Sequence, residues 1–504
     1  MSGPEVTTPG GRVRGTVDAG VNVFLGIPFA KPPIGALRLA APEPVEPWHG
    51  VRPADSFGPP PPQIVPAIAQ PALGQPRNDS ARETDPGWLT VNIWTPDLGA
   101  ARLPVMVWIY GGAYLQGHTA DPTYDGARLA REGGVVVVTL NYRVGAEGFG
   151  LFAGAPANRG LLDQVAALTW VHDNVAAFGG DPDQVTVFGQ SAGGGSVAAL
   201  LAMPRAAGLF RRGIVQSMPG KFYTLDLAED LGRAIAATAG VPPTAAALAD
   251  LRPDDLVAAT TRIEEQIRKD PGRWGAEANR PVSPVVDGDV VPRSPWEALA
   301  AGQSRDVTLM GGHTRNEWRT LMAMAGQLQG IADTAVDAAL RALTPDGGKA
   351  YRAAFPEASP WQLYEMLMTD WSFRVPILQL LDAQVTGGGR AFAYELAWTV
   401  PGQGGVMGAP HGSDLPLVFG NLTKGVATLF LDGDVDEAER LSARMRGAWT
   451  SFAATGNPGW DPYDTTRRIT KVFDTEDTTG PYPGEVHRRL WADRPYQPVP
   501  LLRR

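Results

Sequence analysis

A serine flanked by glycines lies in residues 189–193, which read GQSAG. The pattern Gly-x-Ser-x-Gly is short and recurs by chance, so its surroundings decide what it means. Residues 185–188 have the apolar composition of a buried strand, and the alanine-rich stretch 192–203 is typical of a helix. A strand that turns sharply into a helix presents the serine oxygen above a sheet, at the positive end of the helix dipole. This context predicts that Ser191 is a nucleophile.

A serine nucleophile needs a general base, and the chain has six histidines. In the fold that carries this strand–turn–helix motif, the acid and the histidine follow the serine along the chain. His313, His411 and His487 meet that condition. His411 lies in a glycine-rich loop beyond a predicted strand, where scaffolds present catalytic side chains. His487 lies beside two arginines in a charged segment and is expected to face solvent, so His411 is the predicted base.

The acid that orients the base must lie between Ser191 and His411 in the chain. Glu317 follows the apolar run 307–310 through a short glycine-containing segment, which predicts a loop at the C-terminal edge of a strand. Glu317 is the best candidate by position, but position alone leaves other carboxylates open. These competitors are Asp287, Asp289 and Asp306.

Backbone N–H groups must stabilise the negative oxygen that forms when a serine attacks a carbonyl. One donor is expected from Ala192, directly after the nucleophile. The other donors are expected from Gly111 and Gly112, which follow the apolar run 104–110. Glycine suits this position because it lets the backbone approach a substrate closely.

The remaining pattern predicts an α/β fold. The runs 104–110 and 135–140 are continuous and apolar, as in parallel strands buried on both faces, and 161–177 has helical spacing. Alternating strands and helices favour a mostly parallel central sheet flanked by helices. We expect a single domain over residues 1–504, with a flap-like surface loop at 57–87 and helical insertions at 221–280 and 320–385 around the active site.

Composition excludes several classes of function. The chain has no cysteine, which excludes disulfides, thiolate nucleophiles and cysteine-ligated metals. Its net charge of −9 argues against nucleic acid as a partner. Neither a membrane-spanning apolar run nor a signal sequence is recognisable, so we expect a cytoplasmic protein. The preference for arginine over lysine suggests a GC-rich bacterial genome. The oligomeric state is not predicted, although a monomer is plausible.

Several ordered segments resemble the type-B carboxylesterase/lipase family, the cholinesterase-like branch of the α/β-hydrolases. The likeness extends over most of the chain, and the nearest likeness is to bacterial para-nitrobenzyl-esterase-like enzymes. The matching segments are FLGIPFA (24–30), VNIWTP (91–96), YGGA (110–113), NYR (141–143), GLLDQ (160–164), FGGDP (178–182) and FGQSAGG (188–194).

The resemblance implies the α/β-hydrolase fold, a triad of Ser191, Glu317 and His411, and a buried ion pair of Arg143 with Asp163. It implies a serine carboxylesterase that needs neither metal nor cofactor. We expect its partner to be a small-molecule ester, neutral and of short to medium chain length. Candidate pocket residues are Tyr114, Gln190, Ser217, Met218, Met322 and Phe373. The alternatives are a carbamate or amide hydrolase, a lipase with the same triad, or a non-catalytic binding protein of this fold.

The chain also departs from the family pattern at named positions. Many members have glutamate where this chain has Gln190, and Asp414 replaces a common glutamate. The glutamate that commonly pairs with Arg38 is missing, so Arg38 needs another partner. A choline ester is a less expected substrate, because residues 58–87 hold no aromatic side chain that could form a cage for a quaternary ammonium group.

Overall fold

The computed structural model describes residues 3–64, 86–99, 102–269, 272–275, 277–328, 330–432 and 435–502. Within these residues the strands are β1 (Glu5–Thr8), β2 (Gly11–Arg14), β3 (Thr16–Asp18), β4 (Val21–Pro28), β5 (Val51–Pro53), β6 (Thr90–Thr95), β7 (Leu103–Ile109), β8 (Val136–Leu140), β9 (Gly180–Gln190), β10 (Arg212–Gln216), β11 (Thr308–Thr314), β12 (Ala391–Leu396), β13 (Ile469–Phe473) and β14 (Thr478–Pro481).

Eleven of these strands form one mixed sheet, in the order β14-β13-β12-β11-β10-β9-β7-β8-β6-β4-β3. In this order, the seven consecutive strands from β13 through β7 to β8 pair in parallel. The pair β14-β13 at one edge and the pairs that join β8, β6, β4 and β3 at the other edge are antiparallel. Every residue of β8 is buried, as the continuous apolar run predicted. A separate small sheet joins β1, β2 and β5. The predicted mostly parallel central sheet is therefore confirmed.

Helices connect and flank the strands. The helix Ala192–Ala202 packs against β9 and β10, and the long helix Asp436–Thr455 packs against β7 and β9. The α-helices are Ala127–Gly133, Gly145–Phe149, Arg159–Asn174, Ala192–Ala202, Leu225–Thr238, Ala245–Ala249, Pro253–Lys269, Pro295–Ala300, Trp318–Met324, Asp333–Leu343, Lys349–Ala354, Pro360–Thr369, Val375–Thr386, Asp414–Phe419, Ala427–Phe430, Asp436–Thr455 and Glu485–Leu490, and Asp370–Arg374 forms a π-helical turn.

The predicted boundaries were wrong where glycines lie inside strands. The strand before Ser191 was predicted over residues 185–188, but β9 already begins at Gly180, after the left-handed Gly179. Residues 311–314 were expected in a loop, yet β11 continues through them to Thr314. In both cases the neighbouring strand supplies the backbone hydrogen bonds that the local pattern did not reveal.

Two ion pairs are buried beside the sheet. Arg143 contacts Asp163 at 2.6 Å, and both side chains are almost fully buried. Arg38, whose family partner is missing, instead contacts Glu147 at 2.6 Å and donates to backbone carbonyls that include that of Leu248. Each guanidinium thus has a carboxylate and carbonyl oxygens around it, which compensates for the loss of water.

Two further predictions concerned the loop at 57–87 and the exposure of His487. Of the predicted surface flap, residues 65–85 lie outside the described residues. Residues 59–63 are buried, and Gln63 exchanges two hydrogen bonds with the backbone of Gly117, so a surface position is wrong for this part, whereas Ile64 is exposed. His487 does not face open solvent, since its Nδ1 lies 2.8 Å from the buried carboxylate of Asp370.

The helices between residues 225 and 269 and between 318 and 386 fall largely within the two predicted insertions. The second group packs around a small hydrophobic core of its own, centred on Leu340, Leu367 and Trp371. The division of the chain into a single domain with two insertions stays a prediction. No helix in the described ranges is both long and apolar enough to cross a membrane.

Candidate active site

Ser191 sits at the junction between β9 and the helix Ala192–Ala202. Its backbone has φ 56° and ψ −126°, a conformation that a residue with a side chain rarely adopts. The junction is held tightly: the Ser191 N–H donates to the carbonyl of Gln216 at 2.9 Å. A Cβ at Gly193 would lie 2.0 Å from the carbonyl oxygen of Ile109, so only glycine allows this helix to approach β7. Strained backbone supported in this way is a common property of functional sites.

Glu317 and His411 meet across two loops that follow β11 and β12. His411 Nδ1 lies 2.5 Å from Glu317 Oε2. The loops are joined by a backbone hydrogen bond from Asn316 to Ala409 at 2.9 Å. The second carboxylate oxygen, Oε1, accepts from the backbone N–H of Thr314 at 2.8 Å. The carboxylate is thus fixed on both oxygens, which orients the imidazole.

Glu317 is fully buried, yet its carboxylate is stabilised in the charged form. Burial alone would raise the pKa of Glu317, but the charge and hydrogen bond of His411 outweigh that effect and lower it, with the Ser217 hydroxyl and His313 contributing in the same direction. A carboxylate in this position can hold an imidazole with a proton on Nδ1 and stabilise the imidazolium when it forms.

Gln190 and Phe373 contact His411 on the sides that do not face Glu317. The Gln190 side-chain amide nitrogen lies 3.1 Å from His411 Nε2. Since an amide nitrogen only donates, Nε2 acts as the acceptor, and the remaining proton lies on Nδ1 toward Glu317. The Phe373 ring packs against the imidazole at a centroid distance of 4.5 Å. Nε2 is therefore the basic atom that faces the cavity.

The glycine pair after β7 lies directly beside the serine. A Cβ built on Gly111 would lie 3.0 Å from the Ser191 Cβ, and Gly112 has a positive φ of 104°. Neither glycine N–H donates a hydrogen bond to another group in the described ranges. The N–H of Ala192 is in the first turn of its helix, where backbone donors have no intrahelical acceptor. Three free donors near one serine oxygen can stabilise an oxyanion.

Ser191 and His411 open into a cavity of about 420 Å³. Its walls are mainly apolar and come from the loops after β7 and β10 and from both predicted insertions. Of the predicted pocket residues, Tyr114, Gln190 and Phe373 line it. The main apolar lining residues are Pro62, Ile64, Leu115, Val144, Leu256, Val257, Val282, Trp318, Leu321, Met324, Phe373 and Leu415.

Three predicted pocket residues do not line the cavity. Ser217 and Met218 are fully buried behind it, and Met218 belongs to the main hydrophobic core. On the helix Trp318–Met324, Met322 points into the protein whereas Met324 lines the cavity. The sequence did not single out Lys221, Asn279 or Arg280, which also line it. No local motif marks these residues, because the chain brings them together only through tertiary contacts.

The competing carboxylates lie elsewhere. Asp287 accepts from the backbone N–H of Val291 at 2.8 Å and closes its own turn, and Asp289 pairs with Arg205 at 3.0 Å. Asp306 is exposed. None of the three lines the cavity. Among the described residues, no group of three or more histidine or carboxylate side chains is arranged to hold a metal ion.

The model of the carboxylesterase family matches residues 2–479. The chain belongs to the carboxylesterase family. It is 36% identical to the para-nitrobenzyl esterase of Bacillus subtilis (strain 168) over 485 residues, which cover 94% of this chain and 95% of the relative. It is 35% identical to the phenmedipham hydrolase of Pseudarthrobacter oxydans, with 91% of each chain covered.

Solved structures agree with these sequence relatives. A para-nitrobenzyl esterase superposes with a TM-score of 0.85 and 36% identity, covering 96% of this chain and 99% of that one. A carboxylesterase of Geobacillus stearothermophilus superposes with a TM-score of 0.83 and 35% identity, covering 97% and 99%. The expected α/β-hydrolase fold and the resemblance to para-nitrobenzyl esterases are confirmed, and this family member is a carboxylic-ester hydrolase of the serine esterase type.

Proposed function

We propose that Ser191, His411 and Glu317 form the catalytic triad of this carboxylesterase. His411 Nε2 takes the proton of Ser191 Oγ as the serine attacks the ester carbonyl. The backbone N–H groups of Gly111, Gly112 and Ala192 stabilise the oxyanion of the tetrahedral intermediate. The imidazolium then protonates the leaving alcohol, and the acyl group stays on Ser191. Water activated by His411 hydrolyses this acyl-enzyme.

The observation that carries the proposal is the 2.5 Å contact between Glu317 and His411 beside the strained elbow of Ser191. Glu317 holds a proton on Nδ1, which leaves Nε2 unprotonated toward the cavity. The same cavity contains both Ser191 and His411. Removal of the Ser191 hydroxyl proton requires a base with an unprotonated nitrogen, and His411 Nε2 in this tautomer is such a base.

The proposed substrates are neutral carboxylic esters of short to medium chain length. The residue beside the nucleophile is Gln190, which carries no charge, and most of the cavity wall is apolar. A cavity of about 420 Å³ is of the size that encloses a small organic molecule. The bacterial origin and cytoplasmic location expected from the sequence stay predictions.

A panel of p-nitrophenyl esters from acetate to laurate tests the proposal, with a matched anilide and a carbamate included. We expect kcat/KM to be greatest for a short or medium acyl chain and much lower for laurate. Faster turnover of the anilide or carbamate would favour the alternative reaction class with the same triad. Equal inactivity toward all of these substrates would contradict an acyl-enzyme on Ser191.

A further inference from the structure

One part of the cavity wall is charged, although most of the wall is apolar. Lys221, Glu264 and Arg280 all line the same cavity as Ser191. Lys221 follows β10 by five residues, whereas the other two belong to the segment from Pro253 onward. Charged groups inside a mostly apolar cavity are costly to keep unless they are paired or are used to bind something.

The carboxylates around this wall already have guanidinium partners. Arg280 forms a close ion pair with Glu264. Glu277 contacts Arg494 at 2.6 Å. Lys221 has no such partner: within the described part of the chain, no carboxylate forms an ion pair with it. Glu147 also lines the cavity and pairs with Arg38, so a protonated Lys221 is the cation of this wall that no carboxylate of the described residues offsets.

The contacts of Lys221 hold its amino group without neutralising it. Nζ donates to Asn279 Oδ1 at 2.5 Å and lies 4.4 Å from the centre of the Trp371 ring. Burial lowers the pKa of Lys221, and the nearby Arg280 lowers it further, whereas Glu277 acts in the opposite direction. An anion bound beside Nζ would supply the missing negative charge and favour the protonated amine.

The π-helical turn Asp370–Arg374 links Lys221 to the catalytic centre. Phe373 packs against His411, and Trp371, two residues earlier, lies beneath the Lys221 amino group. The Gly220 N–H donates to the carbonyl of Ser372 at 3.0 Å, which fixes the Lys221 loop to this turn. The charged wall is thus held at a set position relative to His411.

Ser372 provides a second polar group at this place. The residue lines the cavity, and its buried hydroxyl has no hydrogen-bond partner among the described residues. A serine hydroxyl that donates to no protein group keeps its O–H available for another acceptor. Trp371, the residue before Ser372, contacts the Lys221 amino group, so the ammonium and the hydroxyl belong to adjoining segments and can serve as two donors to the oxygens of one carboxylate.

We propose that Lys221 and Ser372 form a carboxylate-binding subsite, so that the enzyme hydrolyses, in addition to neutral esters, esters that carry a carboxylate at the end remote from the reacting carbonyl. This inference rests on the proposed function of the same cavity. The carboxylate can belong to the acyl part, as in half-esters of dicarboxylic acids, or to the alcohol part, as in acyl esters of hydroxy acids. The apolar wall then contacts the hydrocarbon chain between the two ends.

The experiment compares anionic esters with neutral esters of similar shape. The acyl arm uses monomethyl and dimethyl succinate, glutarate and adipate, with methanol release measured at early times. The alcohol arm uses 4-acetoxybutanoate and butyl acetate, with acetate release measured. The variants are Lys221→Met, Lys221→Arg and Ser372→Ala. The matched control is Lys31→Met, which removes a half-exposed lysine that pairs with Glu43 and Glu46 outside the cavity.

In the wild type we expect kcat/KM for the anionic ester of one arm to be comparable with that for its neutral partner. If this is the acyl arm, we also expect an optimum of chain length. Lys221→Met should lower the ratio of kcat/KM for anionic over neutral esters by about 10- to 100-fold, as for a lost hydrogen bond to a charged group. Ser372→Ala should lower this ratio less, Lys221→Arg should retain part of it, and Lys31→Met should leave it unchanged.

Activity toward the neutral esters separates the two proposals. If Lys221→Met retains that activity within about twofold while activity toward the anionic esters of one arm is lost, the subsite is supported, and the arm affected assigns the side of the ester. A wild-type enzyme that hydrolyses neutral esters but discriminates against both anionic series, or a ratio unchanged in Lys221→Met, overturns the subsite alone. Inactivity of the wild type toward every ester instead overturns the proposed function.

Discussion

The side-chain amide of Gln190 lies 3.1 Å from His411 Nε2, the ring nitrogen opposite the one that contacts Glu317. Gln190 is the residue immediately before the proposed nucleophile, so the amide lies where the serine hydroxyl must approach. In the absence of substrate, His411 thus has a partner on each nitrogen, one charged and one neutral. Proton transfer from Ser191 requires Nε2 to exchange the amide for the serine hydroxyl.

Replacement of Ser191 by alanine tests the central assignment. Ser191→Ala should lower kcat by about 10⁶-fold, the loss known for a triad serine, because no other hydroxyl can form the acyl-enzyme. Turnover of p-nitrophenyl butyrate measures the loss, and an unchanged circular dichroism spectrum controls for folding. A folded variant that keeps substantial activity would show that the nucleophile is a different residue.

Glu317→Gln should lower kcat by roughly 10³- to 10⁴-fold, since an amide neither stabilises the imidazolium nor holds the same histidine tautomer. The matched control is Asp306→Asn, which removes an exposed carboxylate from a competing candidate and should leave kcat within about twofold of wild type. Steady-state kinetics on one p-nitrophenyl ester measure kcat of both variants and of the wild type. A large loss in the control with little effect at Glu317 would reverse the assignment of the acid.

Asp414 predicts a change in stability with pH. It is fully buried and accepts from the Gln216 side chain at 2.7 Å, and burial raises its pKa to about 6. Because this pKa is higher in the folded than in the unfolded chain, the contribution of Asp414 to stability falls as pH rises from about 4 to 6. Asp414→Asn removes this effect and should stabilise the fold above pH 6 by about 1–3 kcal/mol, with little effect below pH 4.

Denaturant unfolding of the wild type and the variant at pH 4, 5, 6 and 7 measures this difference. Asp306→Asn again provides the control, because it changes an exposed carboxylate and should show no trend with pH. A difference between Asp414→Asn and wild type that stays constant over this range would mean that Asp414 has an ordinary titration in the folded protein.

The parts of the site that lie close together in sequence were predictable. Buried parallel strands give continuous apolar runs, so the strand before Ser191 and the glycines after β7 could be recognised locally. The acid was different, because position left four candidates among the carboxylates between Ser191 and His411, and the resemblance was needed to decide for Glu317. Contacts between distant segments left no local pattern: Lys221 and Asn279 are 58 residues apart, and Asp370 and His487 are 117 apart.

A charge at position 190 should change both the pH dependence and the substrate preference. In Gln190→Glu, a carboxylate replaces the amide that lies 3.1 Å from His411 Nε2. Its negative charge would stabilise the imidazolium, particularly in a poorly hydrated cavity, so His411 would stay protonated to a higher pH. The acid limb of the kcat/KM profile should therefore move by about one pH unit or more toward alkaline pH.

The same charge should favour cationic alcohol groups. We expect the ratio of kcat/KM for butyrylcholine over a neutral butyrate ester to rise in Gln190→Glu, since the substrate cation then has a counter-charge beside the nucleophile. Gln190→Met is the control, because it removes the hydrogen bond to His411 without adding charge and should shift neither the acid limb nor the ratio in this direction. If the glutamate and methionine variants share one pH profile and one substrate ratio, residue 190 acts only through its hydrogen bond, and the neutral amide does not set the enzyme's preference for neutral esters.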